Sequence, residues 1–181
     1  MTRRFILTGA PGAGKTTIIA ELRNRGLAVV EEAATDVIAR EQANGVAEPW
    51  LEAGFTGKIA ALQEERVAAE TAPLQFHDRS VFCTLALARY LGHPVPTALE
   101  AAVERAADGI FERRVLFPRL LGFITPTAAR RITLSEAQRF EAMHEDVYGS
   151  FGFEMIFLAP EPVEARAEAV LRAVPELPSA S

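Results

Sequence analysis

Eight consecutive residues carry the plainest chemistry in this chain: Gly9-Ala10-Pro11-Gly12-Ala13-Gly14-Lys15-Thr16. They fit the pattern G-x-x-x-x-G-K-[ST] at every fixed position. The glycines let backbone N–H groups converge on phosphate oxygens. Lys15 adds a point charge, and a helix starting here adds its positive end. Thr16 offers a hydroxyl to a magnesium ion, and Thr17 extends the cradle into the helix. The chemistry predicted is the binding of a nucleoside triphosphate.

A cradle for phosphates does not define a reaction. Phosphoryl transfer also needs an acid that holds the metal and a group that orients or deprotonates the acceptor. Asp78, in His77-Asp78-Arg79-Ser80, is a candidate ligand to magnesium-bound water or the base itself; the alternative is a helix N-cap. Arg79 is a candidate contact to a phosphate or an anionic acceptor. Glu32, in Glu31-Glu32, is a candidate base for an acceptor hydroxyl, and Glu31 stands beside it. Ser80 reads as a cap.

Arginines are grouped further along. Between Arg113 and Ser135 lie Arg113, Arg114, Arg119, Arg130 and Arg131, with no acid among them, while the remaining residues hold 14 basic and 24 acidic groups. Residues 119–134 therefore read as an arginine-rich lid. Arg130 and Arg131 are its candidates for stabilising the transferring phosphate; Arg113 and Arg114 precede a strand and read as structural. Residues 46–66 fall between the second and third apolar runs predicted as strands. Trp50 and Phe55 could stack on a ring there, with Gln63 and Arg66 on the helix behind. Neither His93 nor His144 belongs to a metal-ligand pattern, and Cys83 reads as a small buried hydrophobe.

The elements that must position these groups follow from apolar patterning. Short apolar runs at 5–8, 27–30, 74–77, 115–117 and 155–158 predict strands buried on both faces. Helices are predicted over 16–24, 33–43, 56–71, 81–91, 97–107, 135–148 and 162–173, with Gly26, Gly92 and Gly149 as stops. Strict alternation predicts an α/β fold with a mainly parallel sheet. The glycine-rich loop, Glu32 and Asp78 all follow strands, so they share one sheet edge, where such folds bind ligands.

Composition narrows the function classes. The chain has 181 residues and a net charge of −5, which argues against wholesale attraction to nucleic acid. One cysteine cannot form an internal disulfide. No apolar run approaches the roughly 20 residues of a membrane span, and no signal-peptide pattern opens the chain. The expectation is one cytoplasmic domain over 1–174, with no membrane or nucleic-acid partner and a frayed tail over 175–181.

Taken together, the glycine-rich loop, Val29-Val30-Glu31-Glu32-Ala33-Ala34 and Asp78-Arg79-Ser80 resemble P-loop kinase-type proteins. They are similar to small "AAA-domain" predicted ATPases related to nicotinamide riboside kinases and deoxynucleoside kinases, over roughly residues 3–173. The resemblance implies a three-layer sandwich with a five-stranded parallel sheet ordered 2-3-1-4-5. It also implies magnesium-dependent use of ATP or GTP with a small-molecule acceptor. Carried over residue by residue, Glu32 takes the role of base, and Asp78 and Arg79 those of the acid-Arg-Ser triplet. The guanine-reading N-K-x-D is absent, which favours ATP. Thr35-Asp36 and Ala128-Ala129 depart from the arginine and the acids that relatives carry at those places. A nucleotide-dependent switch and a plain NTPase are the alternatives to a kinase.

Overall fold

The computed structural model describes residues 2–121 and 133–174. Five strands, β1 (Arg3–Leu7), β2 (Ala28–Val30), β3 (Leu74–Asp78), β4 (Arg114–Pro118) and β5 (Glu154–Leu158), form one sheet in the order β2-β3-β1-β4-β5. All pairings are parallel, with Leu7 beside Asp78 and Leu116. The strand ends that carry the candidate site thus lie side by side.

Among the described residues six α-helices connect the strands, α1 (Lys15–Asn24), α2 (Ala34–Ala43), α3 (Phe55–Ala69), α4 (Val81–Leu91), α5 (Thr97–Ala107) and α6 (Leu134–Ser150), and α7 (Val163–Ala173) follows β5. A single turn of 3-10 helix, Pro49–Leu51, precedes α3. The inner strands are apolar on both faces because both are covered, but the edge strand β5 is not buried on both as expected: Phe157 is exposed. Phe5, Leu7 and Phe76 pack with Ile18 and Leu22 of α1 and Val170 of α7. Ile6, Val115 and Phe117 face the other way, into a larger core with Phe82, Leu99 and Tyr148. Each such fully buried side chain contributes about 1.5–3 kcal/mol by leaving water. The result is the α/β/α sandwich with the expected strand order.

Local signals set most boundaries. Gly92 ends α4 in the left-handed region, at φ 68°, where a Cβ would be disfavoured. Thr133 caps α6 with a reciprocal box. Its Oγ1 accepts from the Glu136 N–H (3.3 Å), and Glu136 Oε2 accepts from the Thr133 N–H (2.7 Å). One stop was misplaced: α6 runs through Gly149 to Ser150, and Gly152, at φ 75°, is the residue that turns the chain. A glycine is tolerated inside a helix, so its presence alone does not end one.

No helix among the described residues is long and apolar enough to cross a membrane. Arg130, Arg131 and most of segment 119–134 lie outside the described residues. Arg119 does not. Its guanidinium pairs with Glu141 (2.8 Å) and Glu145 of α6 and lies 3.8 Å from the Phe157 ring centroid. It fastens β4 and β5 to α6. Arg113 donates to the carbonyls of Ala107 (2.8 Å) and Phe151 (3.0 Å), and Arg114 pairs with Glu154 at 3.1 Å.

Candidate active site

The turn from β1 into α1 can only be built with glycine at its ends. A Cβ on Gly9 would lie 3.0 Å from the Pro118 carbonyl oxygen. One on Gly14, which adopts φ 73°, would lie 2.6 Å from Arg166 Nη1. The loop curls around Lys15, whose Nζ donates to the carbonyls of Gly9 (2.7 Å) and Ala10 (2.9 Å). Thr17 Oγ1 donates to the Gly14 carbonyl (2.7 Å), and Thr16 is exposed at the start of α1. Burial, with Arg79 beside it, pulls the Lys15 ammonium down to about 7. A group so poised regains its charge when an anion arrives.

Arg166 was not foreseen. It projects from α7, is buried, and donates from Nη2 to the Ala13 carbonyl. It braces the loop from behind, and a separation of 153 residues left no sequence signal for it.

Glu32, Asp78 and Arg79 meet Lys15 at the same edge. Arg79 adopts φ 74°, a left-handed conformation that strains any non-glycine residue by about 1–2 kcal/mol. Four contacts hold it there. Its N–H donates to the Leu7 carbonyl (3.0 Å), and its guanidinium reaches Glu32 Oε1 (2.8 Å), the Gly9 carbonyl (3.3 Å) and Cys83 Sγ (3.0 Å). Strain sustained by that many contacts marks a position where the side chain must face one way.

The two carboxylates differ. Burial pushes Glu32 up, but Arg79, Lys15 and the Thr35 hydroxyl (3.1 Å from Oε2) hold it below the ordinary carboxylate range. Asp78 is pushed up to about 6 by burial, and its Oδ1 is buried with no hydrogen-bond partner. Asp78 is not the helix cap; Ser80 occupies that position, and its hydroxyl instead meets Tyr148 Oη at 2.8 Å. Glu31 is exposed and pairs with Arg23.

A cavity of about 330 Å³ opens beside these groups, between α2, α3, α4 and α6. Glu32, Arg79 and Cys83 form its polar side; Trp50, Phe55, Ile59 and Tyr90 are among its apolar walls. Gln63 also lines it, its Oε1 accepting from Thr84 Oγ1 (2.8 Å). Arg66 is not part of this lining. It donates to the carbonyls of Glu31 (2.9 Å) and Glu32 (2.6 Å) and pairs with Asp36, so it anchors the backbone behind Glu32. Asp36 thus supplies the arginine partner of this turn.

Cys83 is more than a small hydrophobe. Its Sγ lies 3.0 Å from both Arg79 Nη1 and His144 Nε2, and His144 Nδ1 donates to the Phe140 carbonyl (2.7 Å). With Nδ1 so engaged, Nε2 faces the sulfur, and one proton is shared between them. Burial pushes the thiol up, but Arg79 and His144 outweigh it and bring it down to about 6.

Among the described residues, no three His, Cys, Asp or Glu side chains gather as a metal cage. The orphaned Asp78 oxygen and the Thr16 hydroxyl are nonetheless what a magnesium ion needs when phosphates and water complete its oxygen shell.

The fold has known relatives. It is similar to deoxyadenosine kinase from M. mycoides with bound dATP, with 12% identity and a TM-score of 0.64 over 94% of this chain and 98% of that one. It is also similar to NadR protein in complex with NR, with 16% identity and a TM-score of 0.73 over 99% of this chain. This chain spans about half the length of NadR, 54% of it. No curated protein matches by sequence. The family model described as "AAA domain" matches residues 4–166, a stretch that begins within β1 and closes on the arginine bracing the loop. By that match, the chain belongs to the AAA-domain family.

Proposed function

We propose that this protein is a small-molecule kinase that moves the γ-phosphate of ATP to an acceptor hydroxyl with magnesium. The observation that carries the reading is the contact between two compartments. The phosphate loop with Lys15 abuts a part-apolar cavity, and Glu32 and Arg79 stand at their junction. A plain NTPase needs no such second compartment. The kinase folds of the structural relatives, one solved with bound dATP, add support.

In this reading the loop amides and Lys15 bind the β- and γ-phosphates. Lys15 leaves the Gly9 and Ala10 carbonyls for the phosphates as it does so. Thr16 and Asp78 would hold magnesium, directly or through water, and the ion would supply positive charge beside the transferring group. Glu32, which lines the cavity and is held ionised, accepts a hydrogen bond from the acceptor hydroxyl and orients it. Arg79 follows the transferring phosphate from the acceptor side. Trp50 and Phe55 hold a ring of the acceptor, and the Gln63 amide hydrogens, left over after the Thr84 contact, hydrogen-bond its edge.

Incubation with ATP, magnesium and a panel of nucleosides, nucleotides and vitamins, read by mass spectrometry, tests this. The expected result is one phosphorylated acceptor, formed by the wild type and not by Lys15→Ala. ADP release with no phosphorylated product across the panel would overturn it.

A further inference from the structure

A second cavity, of about 310 Å³, lies on the other side of Gln63 and Arg79, which line both. It sits between one face of the sheet and helices α3 and α5. Val67 and Ala102, Ala106 and Phe111 give it apolar walls, and the sheet side offers Arg4 from β1 and His77 from β3. Its size is at the low end for small-molecule sites.

The charges around it are unequal in one respect. Arg66 is engaged with Asp36, Arg79 with Glu32, Glu31 with Arg23 and Glu64 with Arg105. Asp78 faces the opposing charges of Lys15 and Arg79. Arg4 alone has no ion pair or side-chain hydrogen bond among the described residues, and its Nε is buried without a partner. The next inward residue on the same strand face is Ile6, fully buried in the apolar core. Arg4 is half-buried as a whole, but its Nε is shut off from water with no partner, which costs stability and gains no ion pair in return.

His77 completes the polar end. Gln75 Nε2 donates to the carbonyls of Glu70 (3.1 Å) and Ala72 (2.8 Å), so its Oε1 is the atom facing His77 Nε2 at 3.0 Å. The imidazole therefore carries its hydrogen on Nε2 and leaves Nδ1 as an acceptor. The polar end is thus one uncompensated cation, Arg4, beside a ring whose Nε2–H is already taken up by Gln75. That balances one negative charge. A phosphate monoester would bring close to two and leave the excess unpaired in an apolar cavity.

We propose that this second cavity binds a small monocarboxylic acid with an apolar body, its carboxylate paired with the Arg4 guanidinium and its body lying against Val67, Ala102, Ala106 and Phe111. The planar guanidinium matches a carboxylate with two parallel hydrogen bonds. The site is separate from the phosphate loop, and its occupant would lie against the strand end that carries Asp78. Binding there does not depend on the kinase reading.

Titration of the full chain with benzoate, benzamide and phenyl phosphate, followed by calorimetry, tests it. Benzoate should bind saturably to the wild type and to Lys15→Ala, and at least about tenfold more weakly to Arg4→Met, which loses a charge-assisted pair. Benzamide and phenyl phosphate should bind at least about tenfold more weakly than benzoate. Arg4→Met should melt at the same temperature as the wild type or higher, and Ala106→Leu, which keeps the charge but fills the cavity, should lose benzoate. The proposal is overturned if benzoate does not saturate the wild type, if Ala106→Leu or Arg4→Met binds it unchanged, or if either control ligand matches it. A lower melting temperature for Arg4→Met would also overturn it, since the arginine would then be structural.

Discussion

Alkylation of Cys83 should follow a titration with its midpoint near 6, well below the ordinary thiol value of 9.0. The perturbation is the removal of the Arg79 charge, best made as Arg79→Gly, because glycine accepts the φ of 74° that Arg79 endures. At pH 7 a thiol with a midpoint of about 6 is roughly nine-tenths thiolate, against about one-hundredth for an unperturbed one, a roughly ninetyfold difference. A thiolate of lower basicity is also a weaker nucleophile. Over three pH units that loss is about twentyfold, which leaves a net gain of only about fourfold in rate. The buried position of the sulfur reduces the rate further. The midpoint is therefore the discriminating readout, and the absolute rate is not. Iodoacetamide labelling from about pH 5 to 9, followed by intact mass, measures it. Wild type should show the low midpoint, and Arg79→Gly should move it upward by more than a unit. A wild-type midpoint between 8 and 9 would refute the ion-pair reasoning, as would an unmoved midpoint in Arg79→Gly.

Lys15 should take up a proton when a nucleotide binds. Its free pKa is lowered to about 7, so at pH 8 most molecules carry a neutral amine that the triphosphate recharges. Calorimetry at pH 8 in buffers of different ionisation enthalpy should show net uptake approaching one proton, absent at pH 6 and in Lys15→Met. Glu32→Gln should retain nucleotide binding yet slow transfer to the acceptor by about 10²–10⁴-fold, measured by initial rates with the acceptor that the panel identifies. Arg166→Met should weaken nucleotide binding about tenfold in a fluorescence titration, because the Ala13 carbonyl loses its charged donor.

What the sequence disclosed was whatever it encodes locally. The phosphate loop is eight adjacent residues whose spacing is its own evidence. Strands and helices were legible because burial on both faces leaves unbroken apolar runs such as Phe5 to Leu7 and Val115 to Phe117. Glu32 and Asp78 could be placed at one edge since each follows a strand, although the strand order itself came from the family resemblance. Contacts between distant side chains left no trace. Cys83 and His144 are 61 residues apart, and each is unremarkable in its own helix. Arg66 showed the reverse failure. Its type and place suited a substrate contact, but the nearby Glu31 and Glu32 carbonyls and Asp36 claim its donors.

The brace from Arg166 bears on when the protein becomes able to act. The phosphate loop occupies residues 9–16, yet the guanidinium that reaches its Ala13 carbonyl comes from α7. That helix also packs on α1, directly behind the loop. During synthesis Ala13 of the loop emerges 153 residues ahead of its brace. A nascent chain therefore carries an unsupported cradle until α7 has left the ribosome and docked. Nucleotide binding then waits on the docking of α7, and a chain cut short before α7 gains little stabilisation from the ligand that protects one carrying it.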